Sequence, residues 1–235
     1  MKKSTILLVV CFAFNQINLN AQDIKFGLKG SFLGSSFSSS DDGIYSYRPG
    51  YSIGGYFQYT IIEMLGVSVE PAFAKKGANE FDANNLYDPY SPIFYDGTTA
   101  IEYKKHDISV SVVELPVLCH FNLNIGGDNR IRLFAGPSID FITKATHYKT
   151  RANPLASDSS EEIKSSSEVT ERFPYVDYGM QAGVGFDMDL EPVGISIELK
   201  YRYGFSDVNN VKGKPSMNSH NFGITVGVGL EKLFF

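Results

Sequence analysis

The chain has no tryptophan, and only two of its 235 residues are cysteine, Cys11 and Cys119. Long hydrophobic runs are missing too: mean hydropathy is −0.11, and no stretch beyond the N-terminal region approaches the ~20 apolar residues a membrane helix needs. Positive charge is scarce, with 21 Lys and Arg against 26 Asp and Glu and a formal net charge of −5. That balance argues against a nucleic-acid partner. The lack of apolar runs excludes helical spans only. Alternating strands look mild on any hydropathy average, so a β-sheet that crosses a membrane remains open.

Residues 1–21 are expected to be a secretory signal peptide. Lys2 and Lys3 form a basic start, residues 6–14 an apolar core, and Ala21 the small residue before cleavage, with Leu19 larger than ideal two positions earlier. About nine apolar residues are too few to anchor a helix in a bilayer. Cys11 lacks the small preceding residue of a lipidation site and would cut the apolar core short. Loss of this segment leaves a domain of residues 22–235 with net charge −7, because Lys2 and Lys3 go with it. Cys119 then stands alone, which excludes an internal disulfide.

What is present is alternation. In residues 194–205 the odd positions are Ile195, Ile197, Leu199, Tyr201, Tyr203 and Phe205, and between them lie Ser196, Glu198, Lys200, Arg202 and Gly204. Side chains on a strand point to opposite faces in turn, so one face is apolar and the other charged. The same pattern recurs over residues 23–33, 51–61, 67–77, 106–123, 130–142, 173–188 and 220–235. Two irregularities stand out. Tyr56 falls on the polar face of its strand. In residues 106–123 the apolar phase slips from Ile108, Val110 and Val112 to Val113, Leu115, Val117, Cys119, Phe121 and Leu123, which suggests a β-bulge near 112–113.

These eight strands are joined by connections of roughly 17, 5, 28, 6, 30, 5 and 14 residues. Long and short links alternate, as they do in outer-membrane barrels, with long loops outside and short turns in the periplasm. The expectation is therefore an all-β, eight-stranded antiparallel up-and-down transmembrane β-barrel with both termini periplasmic. Residues 34–50, 78–105, 143–172 and 206–219 are expected to be its outer loops.

A soluble ligand-binding barrel would have the same strand count but the opposite faces. Alternation alone cannot say which face turns inward. Three features favour the membrane. Aromatic residues sit near strand ends (Phe32, Tyr51, Tyr59, Phe121, Phe141, Tyr203 among them), as interfacial girdles do. Gly, Ala and Ser crowd the polar face, which suits a narrow lumen. Tryptophan, usual near the first strand of small secreted ligand carriers, is absent. On this assignment a lumen charge network comprises Lys25, Glu70, Glu114, His120, Arg132, Asp140, Asp177, Glu198, Lys200 and Arg202, with Lys29 and Lys76 on the same face. Lys25, Glu70, His120, Arg132 and Glu198 fall toward the periplasmic half. Lys29, Lys76, Asp140, Asp177 and Arg202 fall toward the outer half. Charges in so narrow a core are expected to pair and plug it.

Several short segments resemble the PorT-like outer-membrane β-barrel family of Gram-negative bacteria. They are Phe-Gly-Leu-Lys-Gly at 26–30, Glu-Pro-Ala-Phe-Ala-Lys-Lys-Gly at 70–77, Glu-Leu-Pro-Val-Leu at 114–118, Phe-Ala-Gly-Pro at 134–137, Tyr-Gly-Met-Gln-Ala-Gly-Val-Gly-Phe at 178–186 and Glu-Leu-Lys-Tyr-Arg-Tyr-Gly at 198–204. The resemblance spans about residues 23–235. It implies the outer membrane, an eight-stranded barrel and, through the family's named member, a link to protein secretion. In one respect the sequence departs from such barrels, whose last residue is usually an aromatic in phase with the lipid-facing positions. Phe222 to Leu230 are in phase with Phe234 rather than with the terminal Phe235.

Catalytic signals are weak. His106 and His220 lie near outer strand ends beside Asp107, Ser111 and Ser219, as in a lipid-modifying enzyme, but no spacing marks a nucleophile, base and acid. The carboxylates Asp187, Asp189 and Glu191 lack the glycine and terminal glutamate of a calcium loop. The expectation is a protein without enzymatic activity, cofactor or metal. Its partners are expected to be outer-membrane lipid, the barrel-assembly machinery and a protein or glycan ligand met by the extracellular loops. The barrel itself is expected to be monomeric.

Overall fold

A computed structural model describes residues 24–39, 46–79, 103–126, 129–152, 162–190, 193–209 and 216–230. The strands are β1 (Ile24–Ser39), β2 (Ser46–Ile62), β3 (Leu65–Val69), β4 (Ala72–Asn79), β5 (Tyr103–Gly126), β6 (Asn129–Ala152), β7 (Glu162–Glu168), β8 (Val176–Leu190), β9 (Val193–Gly204) and β10 (Met217–Gly229). Every pairing is antiparallel, and β1 closes onto β10 from Gly27 opposite Gly229 to Ser39 opposite Met217. Short strands β3 and β4 both lie between β2 and β5 and act as one stave. The result is a ring of eight staves, with β7 attached outside the ring to the upper part of β6.

The break between β3 and β4 falls at Glu70 and Pro71. Proline has no N–H to give a ladder. Pro71 instead accepts from the Gly55 N–H at 3.0 Å, and Pro116 of β5 accepts from the Glu70 N–H at 3.1 Å. The stave is thus held at its break by one donor, Glu70, and one acceptor, Pro71. No helix among the described residues is long and apolar enough to cross a membrane.

The structure settles which face is inward. Leu28 and Phe32 are 61% and 66% exposed, whereas Glu198 and Arg202 retain 2% and 1%. Apolar side chains form the outer wall and charged ones fill the lumen, the reverse of a soluble ligand carrier. Tyr56, the exception in its strand, turns inward and lies under the Lys29 ammonium, 5.0 Å from its ring centroid.

Three expectations are corrected. First, residues 34–50 and 143–172 are not simply loops: β1 and β2 run on to Ser39 and back to Ser46, and β6 and β7 form a hairpin. Second, β5 has no bulge at 112–113. Its even residues stay inward throughout, with Ile108, Val110, Val112, Glu114, Leu118 and His120 all buried. Third, the bulge is on β6. Ser111 pairs with Lys144 and Val112 with Ile142, leaving Thr143 unpaired. The apparent slip in β5 has another cause: above Glu114 the lumen becomes apolar. Leu33, Phe37, Ala74, Val110, Ile142 and Phe173, with Val169, Val208 and Met217, form a buried hydrophobic core in that half. Residues 231–235, including both candidate terminal phenylalanines, lie outside the described residues, as do residues 1–23 with the expected signal peptide.

Candidate functional site

The charged lumen is the site the fold positions. Each contributing residue faces inward, on a strand or, for Glu70, at the break between β3 and β4, and the staves bring acids and bases together from across the ring. Two clusters result.

The lower cluster lies toward the short-turn end. Lys29 of β1 bridges Glu70 at 2.7 Å and Glu198 at 2.8 Å. Arg132 of β6 is ion-paired to Glu198 and, at 3.1 Å, to Asp187, and it donates to Gln58 Oε1 at 3.0 Å. Ser68 donates its hydroxyl to Glu70 at 3.0 Å, so the His120 Nε2 at 2.6 Å is the protonated nitrogen donating to Ser68. The other face of His120 meets the Phe134 ring, with centroids 6.0 Å apart. Phe134 fits because Gly183 leaves it room: a Cβ there would stand 2.4 Å from the ring.

The upper cluster joins Lys76 to Glu114 and, at 2.7 Å, to Asp140. Arg202 reaches Asp140 at 3.3 Å and Asp177 at 3.1 Å, and donates to Ser219 at 2.9 Å. Ser219 in turn donates to Asp177 at 2.5 Å. Arg202 is the largest fully buried side chain among the described residues. A buried pair of this kind stands only if its hydrogen-bonding capacity is filled on all sides, and Arg202 meets that condition through acids, a hydroxyl and the Asp177 carbonyl at 3.3 Å.

Of the residues singled out in the sequence, Glu70, His120, Arg132 and Glu198 meet in the lower cluster, and Glu114, Asp140, Asp177 and Arg202 in the upper. Lys29 is corrected: it belongs to the lower cluster rather than the outer half. Strand tilt and a long flexible stem carry its ammonium down to Glu70 and Glu198. Lys25 lies at the mouth, where it lines a cavity of about 40 Å³ with Arg130 and Asp187. Lys200 forms no ion pair with any described residue. Asp187, which the sequence places in no calcium loop, is a partner of Arg132. Its inward parity on β8 was the available signal. His220 packs against the Tyr47 ring, 5.6 Å between centroids. The His106 side chain and Asp189 lie outside the described side chains.

A second cavity, of about 30 Å³, lies between the upper cluster and the apolar core. In the contact of Ser68 with His120 both residues are buried and the serine hydroxyl is committed to Glu70. No group of His, Cys, Asp and Glu among the described residues could hold a metal ion.

A ring of eight antiparallel staves with an apolar outer wall and an ionic interior defines a membrane β-barrel. A sequence profile of the outer membrane protein beta-barrel domain family matches residues 16–210. The chain belongs to that family and is an outer-membrane protein. It is similar to several solved barrels. Ail, the attachment invasion locus protein of Yersinia pestis, is 11% identical over 87% of this chain and 97% of its own, with a TM-score of 0.41. Neisserial surface protein A is 15% identical over 86% and 96%, with a TM-score of 0.41. The outer membrane protease OmpT from Escherichia coli is 12% identical over 91% and 98%, with a TM-score of 0.47. No curated protein sequence matches the chain.

Proposed function

We propose that this protein is a closed, non-conducting outer-membrane barrel that acts as a monomeric surface-binding or structural protein. Both termini face the periplasm, and the long outer connections expected at 78–105 and within 143–172 are the parts that meet a protein or glycan. The observation that carries the closed state is the double ion-paired lumen, in which Lys29, Lys76, Arg132 and Arg202 each span to acids on other staves. An accessory role in secretion, as in the PorT-like family, is the finer reading, supported by the segments at 70–77, 178–186 and 198–204.

Two measurements test this. In planar bilayers the purified protein is expected to give no steady single-channel conductance; regular unitary steps would overturn the closed state. For the binding role, cells displaying the protein are compared with cells in which residues 82–100 and 153–160 are replaced by short Gly-Ser turns. Adhesion to immobilised glycans and matrix proteins is expected to fall while the heat-modifiable gel shift of a folded barrel persists. Equal adhesion would remove the loops from the function.

A further inference from the structure

The bulge on β6 has an effect on the outer surface. Before it, even residues of β6 point inward (Arg132, Phe134, Ser138, Asp140 and Ile142 are buried); after it, Ala145 and His147 are the buried ones. Parity has changed at Thr143. Without the extra residue, Lys144 would continue the inward series into the apolar core. With it, Lys144 is turned out, and its side chain is 59% exposed. The Thr143 hydroxyl donates to the Ser111 carbonyl at 2.9 Å and pins this geometry. Bulges re-aim side chains in this way.

The position to which Lys144 is turned is specific. Lys75 of β4 pairs with Ser111 of β5, and Ser111 pairs with Lys144, so the three form one outward row. The row directly below is Phe73, Val113 and Phe141, with Phe73 and Val113 exposed and the Tyr175 ring 6.2 Å from Phe141. Two lysines, about 10 Å apart across one intervening strand, therefore sit immediately above an apolar, aromatic band. Among the described residues Lys144 meets one acid, Glu168 of β7, whose carboxylate is 3.8 Å away with both groups well exposed. Such a contact is weak. Lys75 forms no ion pair with any described residue. The Ser109 hydroxyl, next along this face of β5, is buried and makes no hydrogen bond among the described residues. Arg48, 5.5 Å from the Tyr148 ring, adds a third cation higher on the same sheet.

We infer that Lys75 and Lys144 form a clamp for a phosphorylated lipid headgroup at the boundary of the hydrocarbon layer. The acyl chains lie against Phe73, Val113 and Phe141, and the phosphate meets the two ammonium groups one row higher. A soluble anion would gain nothing from the apolar row, whereas a lipid engages both rows at once. The inference rests on the membrane placement of the barrel. It uses the proposed orientation only to assign the leaflet, which is then the outer one.

The test uses the full chain folded in nanodiscs of phosphatidylcholine, probed with bis-phosphorylated lipid A and with its dephosphorylated form. Native mass spectrometry reads the lipid retained. The double variant Lys75→Gln/Lys144→Gln is expected to lose retention of the phosphorylated lipid by at least about tenfold, with the heat-modifiable gel shift unchanged. Lys164→Gln in β7, an exposed cation away from the row, is expected to retain it. Equal binding of the dephosphorylated lipid, no loss in the double variant, an equal loss in Lys164→Gln, or full displacement by millimolar inorganic phosphate would each overturn the clamp. Accessibility of a cysteine introduced at residue 90 in intact cells tests the orientation separately, so failure of one does not mimic failure of the other.

Discussion

The two halves of this barrel use the same staves and opposite chemistry. Up to the level of the upper cluster Val113 faces out and Glu114 faces in; about 7–13 Å higher on the same strand, Ser111 faces out and Val110 is buried inside. Below the line the outside is apolar and the interior ionic. Above it the interior is a hydrophobic core closed by Phe37, Val169, Phe173 and Val208, and the outer face carries Lys75, Ser111 and Lys144. The difference shows that the surrounding solvent, rather than the sheet, decides where apolar side chains are stable. Lipid offers no hydrophobic drive to fill the lower lumen, so polar groups paired across the ring fill it. Water restores that drive above, and the barrel there is packed like a soluble protein.

The comparison breaks most sharply at Arg202. Replacing Arg202 with Leu leaves Asp140 and Asp177 buried without their shared base and is expected to cost about 3–5 kcal/mol, read as a lowered urea midpoint in liposomes. An unchanged midpoint would mean the upper cluster contributes nothing to stability. In the water-like half, Ile108→Ala is expected to cost about 2–5 kcal/mol, as in a soluble core. A loss under about 1 kcal/mol would show that the upper core is not packed on that principle. Leu199→Arg, at an outward position 56% exposed, is expected to cost about 2–4 kcal/mol if lipid covers it. Ser166→Arg on β7, equally outward but above the line, is expected to stay within about 0.5 kcal/mol. Equal effects from the last two would erase the boundary between the halves.

Much of this was legible in the sequence. Strand order, inward and outward faces in the lower half and most of the pairing follow from period-two alternation, and eight of the ten lumen residues take part in the two clusters. What misled was the assumption of one solvent per face. Ile108, Val110 and Val112 are apolar and inward, so a pattern tuned to apolar-out strands registers them as a phase slip. The real bulge was hidden because Thr143 and Lys144 are both polar, and a polar pair in sequence resembles a loop. β7, rich in serine and acid, carries no apolar alternation; its pairing with β6 gives it strand form. The height of Lys29 was misjudged because sequence position marks a backbone level, whereas a lysine on a tilted strand delivers its charge elsewhere.

The pairing of Lys29 with Glu198 has a consequence for how the molecule assembles. The two residues belong to the first and the penultimate staves, and the seam beside them is tied by Ser31 and Thr225, separated by 194 positions in the chain. Contacts this distant form last. Until they do, a lysine at one free edge and a glutamate near the other face an unsealed lumen without each other. A partly threaded sheet therefore carries exposed charge at its rims, and the ring becomes comfortable in hydrocarbon only when its final strand arrives. Closure completes the neutralisation that Glu70 gives Lys29 and Arg132 gives Glu198, so the last strand's arrival and the full pairing of the lower cluster coincide.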